Sequence, residues 1–188
     1  MGRPKALLPI GPDNESFLDR IARVLREGGV EDVIAVLGRD ADAIRAAAAV
    51  VPHQMRFIDN NDYEQGQISS LLAGLRAADH PGVRAVLVTL IDVPLLSADT
   101  VRQVLNAYRE AGGAPIVRPT KQGRHGHPVI FDRSLFQELR HADPATGAQS
   151  VVHAHAADVL NVEVADEGPF IDIDTPEDYQ RFIVSPSF

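Results

Sequence analysis

The most constraining feature of this sequence is an apolar run at residues 83–91 that ends in a single carboxylate, Asp92. Only Arg84 and Thr89 interrupt the run, which is the pattern of a strand buried on both faces of a parallel sheet. Pro94 follows the carboxylate by two residues and cannot continue a hydrogen-bonded strand ladder. We therefore expect a buried parallel strand that stops just before Asp92.

Two interpretations of Asp92 stay open on this spacing alone. In open α/β sheets, ligands bind beyond the carboxyl ends of the strands, so Asp92 stands where an acidic metal ligand would be useful. A carboxylate buried there without a partner would be costly. The alternative is that Asp92 only initiates the next turn, as aspartate often does.

The rest of the chain alternates apolar strands with amphipathic helices. The predicted strands cover residues 30–37, 55–58, 83–91, 115–119, 129–131 and 159–164. The predicted helices cover residues 16–27, 40–50, 66–78, 97–108, 134–140, 151–156 and 175–183. This alternation indicates an α/β fold with a mostly parallel sheet. A length of 188 residues suits a single domain, residues 1–188, with a full hydrophobic core.

Charge and composition exclude several classes of function. The formal net charge is -8, and no basic stripe is present of the kind that follows a phosphate backbone, which argues against a nucleic-acid partner. An acidic protein that binds nucleotides needs a divalent metal or local cations. The absence of cysteine excludes disulfides and thiolate metal sites. No segment has the roughly 20 apolar residues that span a bilayer, and no basic-then-apolar leader follows Met1, so we expect no membrane partner and a cytoplasmic protein.

Two further segments are candidates for binding an anion. Lys5 lies in a segment that either carries its ammonium toward a phosphate or is a frayed terminus docked through leucines. Gly66, Ser69 and Ser70 begin a helix and would expose backbone N–H groups to an anion or a sugar. The same residue types are preferred at any helix N-terminus, which favours a purely structural role for them.

The loop at residues 121–128 contains Lys121, Arg124, His125 and His127, which indicates either an anion-binding loop or a solvated hairpin. Zinc is disfavoured there, because the two histidines are two residues apart on a strand-like segment and would point to opposite sides.

Near the C-terminus, residues 171–174 alternate isoleucine and aspartate, which places Asp172 and Asp174 on one face of an extended segment. That pair suits a divalent cation, or it merely supplies acidity to the following helix start. Thr175 and Pro176 mark that helix start, as N-cap and first helical residue.

Five segments, taken together and in order, resemble the nucleotidyltransferase family that transfers a nucleotide from CTP or GTP to the molybdenum cofactor. They are residues 1–5 (MGRPK) with 7–9 (LLP), 66–71 (GQISSL), 92–94 (DVP), 126–131 (GHPVIF) and 171–178 (IDIDTPED). Each motif alone is weakly specific, but the set covers essentially the whole chain.

The resemblance implies a Rossmann-like, three-layer fold and an Mg²⁺-dependent attack of an acceptor phosphate on the α-phosphate of an NTP, with release of pyrophosphate. CTP is favoured and GTP is the other candidate. The acceptor would be a phosphorylated small molecule such as the molybdopterin cofactor, and proteins of molybdoenzyme maturation are further implied partners.

The resemblance also assigns roles to residues. It implies Asp92 as a catalytic metal ligand, Lys5 as a catalytic phosphate contact, and Asp172 with Asp174 as the second metal-side element. The remaining positions would line the substrate pocket: Arg3, Gly66, Ser69, Ser70, Pro94 and His127.

One departure from the family pattern bears on activity. Members usually carry a first strand and a glycine-rich loop, Leu-Ala-Ala-Gly-x-Ser-x-Arg, before the Met-Gly-x-x-Lys segment, and that loop supplies N–H groups to the triphosphate. We expect either that the sequence starts at an internal methionine or that this copy is degenerate, with an exposed sheet edge. Two alternatives to a molybdenum-cofactor enzyme are a catalytically weak nucleotide- or cofactor-binding domain and a sugar-phosphate or isoprenoid-precursor nucleotidyltransferase.

Overall fold

The structure is a computed structural model that describes residues 3–48 and 55–184. The strands are β1 (Pro9–Ile10), β2 (Glu15–Ser16), β3 (Ile34–Leu37), β4 (Arg56–Asp59), β5 (Ala85–Val88), β6 (Ile116–Lys121), β7 (Arg124–His125), β8 (Val129–Asp132) and β9 (Val159–Glu163). The helices are α1 (Phe17–Glu27), α2 (Ala41–Ala48), α3 (Gln67–Ala78), α4 (Ala98–Glu110), α5 (Phe136–Arg140), α6 (Ala148–Ala154) and α7 (Pro176–Tyr179). Within these ranges, none of the helices combines the length and the apolar character that a bilayer crossing demands.

Helix starts follow the capping chemistry that the sequence predicts. The Ser16 hydroxyl accepts a hydrogen bond from the N–H of Asp19 at the start of α1, and Ser97 caps α4 in the same way. At α7, the Thr175 hydroxyl accepts from the N–H of Asp178, whose carboxylate accepts from the N–H of Thr175. This reciprocal pair is a capping box, and it fixes where the chain turns from the segment at 171–174 into the last helix.

Two predicted strands are shorter than the apolar pattern suggests, because residues at their ends form turns instead of pairing in the sheet. The N–H of Val30 donates to the carbonyl of Leu25, so the strand predicted at 30–37 forms only over Ile34–Leu37. The strand predicted at 83–91 forms over Ala85–Val88, since Val83 closes a turn on His80. The helix predicted at 40–50 is α2, and residues 49, 50 and Pro52 lie outside the described residues.

The strands form a mixed arrangement. β3 and β4 pair in parallel, from Ile34 opposite Arg56 to Leu37 opposite Asp59. In the five-stranded sheet, β8 lies between β5 and β6 and is antiparallel to both, while β9 runs parallel to β6. The predicted α/β architecture is confirmed, but the prediction of a mostly parallel sheet is wrong for this larger sheet, where three of the four strand pairings are antiparallel.

The antiparallel pairing comes from the loop at residues 121–128. Gln122 and Gly123 have φ values of 52° and 79°, which is the two-residue turn that joins adjacent antiparallel strands. Lys121 therefore lies opposite Arg124 in a short hairpin, and the chain then returns as β8. The hairpin interpretation of this loop is confirmed.

Helices cover both faces of the larger sheet and create three layers. On β5, Ala85 and Leu87 pack beside α4, while Val86 and Val88 pack against α3 and α5. This alternation follows from the two-residue period of a strand. Helices therefore cover both faces of β5, but its four residues are only half-buried. Its pairing within the described residues is antiparallel, to β8, so the expectation of a buried parallel strand is wrong.

The ends of β3 and β5 meet at one edge of the molecule. Leu37, the last residue of β3, is buried in a cluster with Ala6 and Leu18, and Ile91 beyond β5 packs on that cluster. The residues that follow these strands therefore lie close to one another, as expected for the ligand edge of an α/β sheet.

Candidate active site

Asp92 lies in the loop that follows β5, with a side chain 24% exposed. Its Oδ1 is buried and has no hydrogen-bond partner within the described residues, and the same is true of the Thr89 hydroxyl earlier in the loop. Burial raises the pKa of Asp92 above its usual value. The Lys5 ammonium opposes that rise, whereas the carboxylates of Asp172 and Asp174 add to it. A carboxylate held partly out of water beside other carboxylates is suited to binding a cation.

Lys5 connects two carboxylates from distant parts of the chain. It begins the short 3₁₀ turn Lys5–Leu7, which is anchored by the buried Ala6. Its Nζ donates to Asp174 Oδ1 at 2.8 Å and lies 3.8 Å from Asp92 Oδ2. The apolar anchoring that the sequence suggests for this segment is present, and it is what brings the ammonium to the edge of the sheet.

The segment at residues 171–174 is extended along the Asp92 loop. The N–H of Ile173 donates to the carbonyl of Asp92 at 2.7 Å, and the Ile173 side chain is fully buried. Asp172 and Asp174 are exposed on the opposite side of the segment. Their placement on one face is therefore as the alternation predicts.

His127 lies on the other flank of the β5 end. Its Nδ1 is 3.4 Å from the carbonyl oxygen of Val88, the last residue of β5. Burial lowers the pKa of His127. The shift is partly offset by three groups that raise this pKa, namely the Val88 carbonyl, Asp172 and Asp92. A neutral imidazole in this position can donate or accept a hydrogen bond without adding positive charge. His125, by contrast, is exposed in β7.

Gly66, Ser69 and Ser70 lie at the start of α3, which follows β4 at the same edge. Gly66 has a φ of 90°, a conformation that side chains disfavour, and it is the N-cap residue of the helix. Both serine hydroxyls accept hydrogen bonds from the side chain of Asn60, which follows β4 and is 4% exposed. Sequence reasoning missed Asn60 because residues 59–63 have the composition of a loop. The signal that could have found it is an asparagine directly after a strand, where a buried amide needs partners.

The structure gives Arg3 and Pro94 different surroundings. Arg3 is exposed, and no hydrogen bond or ion pair of its side chain occurs within residues 3–48 and 55–184. Pro94 is buried, and its carbonyl accepts a hydrogen bond from Arg20 Nε at 2.7 Å. The proline thus holds the loop after Asp92 against α1, while the side chain of Arg3 is exposed.

The carboxylates are not arranged as a closed metal cage. Within the part of the chain that the structure describes, no three or more histidine or acidic side chains lie close enough together to hold a metal ion. Lys5 lies between Asp92 and Asp174 instead. The buried, unpartnered Oδ1 of Asp92 nevertheless fits one ligand position of a hard divalent cation, which prefers carboxylate oxygens and retains several waters.

Comparison with known protein families shows which family this chain belongs to. The sequence profile described as the MobA-like NTP transferase domain matches residues 1–159, which is most of the chain. The chain is a member of the MobA-like NTP transferase family. The resemblance stated from the motifs is confirmed, and so is the prediction that the chain is an enzyme of the nucleotidyltransferase class.

Curated relatives in this family carry different names. The chain is 32% identical over 190 residues to nicotine blue oxidoreductase of Paenarthrobacter nicotinovorans, covering 97% of this chain and 90% of that protein. It is 26% identical over 123 residues to the molybdenum cofactor cytidylyltransferase of Escherichia coli K12, covering 65% of this chain and 59% of that protein. This chain is therefore similar to proteins with more than one named activity.

Solved structures support the fold over nearly the whole chain. Rv0371c from Mycobacterium tuberculosis H37Rv superposes with a TM-score of 0.81 at 29% identity, covering 98% of this chain and 92% of that one. A manganese complex of Rv0371c superposes with a TM-score of 0.77, again at 29% identity, covering 98% of this chain and 94% of that one. A structural neighbour of this chain has thus been crystallised with manganese.

Proposed function

We propose that this chain is a divalent-metal-dependent nucleotidyltransferase that transfers a nucleotide from an NTP to a phosphorylated small-molecule acceptor and releases pyrophosphate. CTP is the favoured donor and GTP the second, the acceptor is of the molybdopterin type, and Mg²⁺ is the metal. The enzyme acts as a single cytoplasmic domain. The observation that carries this proposal is the meeting of Lys5, Asp92 and Asp174 at the edge where β3 and β5 end.

Lys5 is the residue that contacts the phosphates. Its side chain is 28% exposed and its ammonium sits on a flexible stem, so the ammonium can move from Asp174 to a polyphosphate without unfolding the turn that holds it. On a bound NTP, this charge offsets the negative charge that develops on the departing pyrophosphate. In a chain whose net charge is -8, a local cation at this edge is needed to attract an anionic substrate.

Asp92, Asp172 and Asp174 are the residues that would hold the metal. A bound divalent ion supplies charge neutralisation at the phosphate oxygens. Asp92 is suited to be the inner ligand, because its Oδ1 is buried and has no hydrogen-bond partner among the residues that the structure describes. Asp172 and Asp174 are exposed and face the same side, so they can approach the ion directly or through its waters.

Nucleotidyl transfer needs little covalent chemistry from the protein itself. In-line displacement at phosphorus depends on positioning the attacking oxygen and on stabilising charge. His127 supports this at the β5 end, since its neutral ring can hydrogen-bond to a substrate oxygen without disturbing the carboxylates.

The choice of donor and acceptor rests on the relatives. The E. coli relative is a molybdenum cofactor cytidylyltransferase, and a relative from Opitutus terrae that is 32% identical over 116 residues is a probable molybdenum cofactor guanylyltransferase. A fold does not choose among acceptors, so the assay must offer several.

The test is pyrophosphate release from CTP, GTP, ATP and UTP with Mg²⁺ or Mn²⁺, with and without molybdopterin cofactor. We expect the wild type to release pyrophosphate with CTP or GTP only when acceptor is present. Asp92→Asn should lower the rate by about a hundredfold or more, and Lys5→Gln by about tenfold or more. Asp32→Asn is the matched control, because Asp32 precedes β3 at the opposite edge and pairs with Arg56. No pyrophosphate from any NTP, or a wild-type rate in Asp92→Asn, would contradict the proposal.

A further inference from the structure

Asp166 lies shortly after the end of β9, and both of its carboxylate oxygens accept hydrogen bonds. Its Oδ2 accepts from the N–H of Ser97 at 3.2 Å and from the Thr100 hydroxyl at 2.9 Å, at the start of α4. Its Oδ1 accepts from the N–H of Gly168 at 2.9 Å. One carboxylate therefore attaches the turn at residues 166–170 to the first turn of α4.

This attachment requires a carboxylate. Thr100 is fully buried, and its hydroxyl donates to Asp166 rather than to solvent. The N–H groups of Ser97 and Gly168 approach Asp166 on its two different oxygens. An amide has only one acceptor oxygen, so in either orientation its NH₂ group would face one of these N–H donors. Asparagine at position 166 would therefore leave one side of the attachment without an acceptor.

The turn at residues 166–170 contacts both flanks of the candidate active site. The carbonyl of Pro169 accepts a hydrogen bond from the N–H of His127 at 3.1 Å. On the other flank, Gly168 lies so close to Leu95, in the loop that follows β5, that a Cβ at Gly168 would overlap the Leu95 carbonyl oxygen. The turn therefore has little room to move once Asp166 has fixed it to α4.

The acidic segment at residues 171–174 continues directly from this turn. The N–H of Ile171 donates to the carbonyl of Gly168 at 3.3 Å. The N–H of Ile173 donates to the carbonyl of Asp92 at 2.7 Å. Asp172 lies between these two hydrogen bonds, so its backbone is held by the turn on one side and by the Asp92 loop on the other.

We propose that Asp166 is a positioning residue for the metal side of the candidate active site. Its carboxylate attaches the turn at residues 166–170 to α4, and that attachment sets where Asp172 and Asp174 lie relative to Asp92. Asp166 is not itself a metal ligand, because both of its oxygens already accept from donors of the protein. The inference rests on the proposed metal-dependent transfer and extends it to a carboxylate outside the site.

The test is binding of Mn²⁺ alone to the full chain, followed by the electron paramagnetic resonance signal of free Mn²⁺. Asp166→Asn should raise the Mn²⁺ dissociation constant by about tenfold, as expected when a group that orients a metal ligand is changed. Thr100→Val removes one of the three donors and should raise the dissociation constant by less. If Asp166→Asn does not fold, Thr100→Val decides. A wild-type dissociation constant in the folded variants would overturn the positioning role.

Asp132→Asn is the matched control for a general loss of stability. Asp132 likewise accepts from a backbone N–H, that of Ser134, and from a hydroxyl, that of Tyr108. It lies opposite Ala85 at the start of β5, away from the candidate active site. Its variant should lower the melting temperature and leave the Mn²⁺ dissociation constant unchanged. Equal weakening of Mn²⁺ binding in Asp132→Asn and Asp166→Asn would show that any loosening of the fold has this effect, and would overturn the inference.

A mutant cycle tests whether Asp166 acts through the acidic segment. In a chain that carries Asp172→Asn and Asp174→Asn, the carboxylates that Asp166 positions are already gone. Adding Asp166→Asn to that chain should weaken Mn²⁺ binding no further. A further loss of about tenfold would mean that Asp166 acts by another route, which overturns the assignment.

Mn²⁺ binding and pyrophosphate release together separate this inference from the proposed function. If the wild type turns over and Asp166→Asn keeps the wild-type Mn²⁺ dissociation constant, the inference is overturned and the transferase proposal stands. If the wild type binds Mn²⁺ without turnover of any NTP and Asp166→Asn weakens that binding, the inference stands and the transferase proposal fails. If the wild type does not bind Mn²⁺, both are overturned.

Discussion

The backbone N–H of Ile173 donates to the carbonyl oxygen of Asp92 at 2.7 Å, joining the C-terminal segment to the loop that follows β5. Because Ile173 is fully buried, the residues on either side of it must point outward. Asp172 and Asp174 are therefore held beside Asp92 by main-chain geometry, and their own side chains need no contact with each other. The positions of Asp172 and Asp174 beside Asp92 therefore depend on this backbone hydrogen bond.

Adding a methyl group at Gly168 should disturb that contact. A Cβ there would lie 2.0 Å from the carbonyl oxygen of Leu95, so the chain must shift by more than a side-chain adjustment. We expect Gly168→Ala to lower the free energy of unfolding by about 1–3 kcal/mol and to reduce pyrophosphate release, measured by urea unfolding and by the transfer assay. Gly74→Ala is the control, because its Cβ would meet only one methyl group, Val36 Cγ2, at 3.1 Å and no backbone atom within 4 Å. Unchanged activity in Gly168→Ala would show that the 171–174 segment is not needed at the site.

Local patterns in the sequence predicted a large part of this site. The outward face of Asp172 and Asp174 and the helix start at Thr175 each depend on neighbours within a few residues. Such signals are contained in a short window of sequence. They predict correctly here because the folded protein keeps the local conformations that they favour. The strand expected to stop just before Asp92 instead ends at Val88, and a turn in which the N–H of Val93 donates to the carbonyl of Leu90 follows it.

Other features depend on contacts between distant residues and could not be predicted in this way. The ion pair of Lys5 with Asp174 joins positions 169 residues apart. The insertion of β8 between β5 and β6 is a pairing choice that hydrophobic period alone does not encode, since parallel and antiparallel strands share that period. Asn60 was missed for the same reason, because its partners are a strand end and a helix start that only the fold brings together.

Removing the charge of Asp92 should stabilise the protein while it abolishes transfer. Burial raises the pKa of Asp92, so the folded protein holds this proton more tightly than the unfolded chain does. The stabilisation is present below the unfolded pKa of about 3.9 and is lost as the pH rises through the folded pKa. Asp92→Asn should therefore have a higher free energy of unfolding than the wild type at pH 7, and the difference should shrink below about pH 4.

The control variant, Asp32→Asn, should change the free energy of unfolding in the opposite direction. Hydrogen bonding to Arg56 lowers the pKa of Asp32, so the ionised form of Asp32 favours the folded state. Asp32→Asn should lower stability slightly at pH 7, because an exposed ion pair contributes little. A lower stability of Asp92→Asn at pH 7 would show that its contact with Lys5 outweighs the cost of burial.

Divalent metal should raise the melting temperature of the wild type through Asp92. Binding to the folded state alone stabilises by mass action, by about 2.7 kcal/mol when the free metal is at a hundred times its dissociation constant. We expect Mn²⁺ or Mg²⁺ to raise the melting temperature of the wild type and of Asp32→Asn in a concentration-dependent way, and to leave Asp92→Asn unshifted in differential scanning fluorimetry. Equal shifts in Asp92→Asn and the wild type would place the metal elsewhere.

His127 should make the stability of the fold depend on pH in the mildly acidic range. Burial lowers the pKa of His127, so the unfolded chain binds this proton more tightly than the folded protein does. The free energy of unfolding should therefore fall as the pH drops below the unfolded value of about 6.5 and continue to fall until the folded pKa is passed. Urea unfolding between pH 5 and 8 measures this slope. His127→Gln should reduce the slope of the free energy of unfolding against pH. His125→Gln should reduce that slope less, because the side chain of His125 is exposed. An unchanged slope in His127→Gln would mean that the imidazole is solvated and charged beside Asp172 and Asp92, and not held neutral against the Val88 carbonyl.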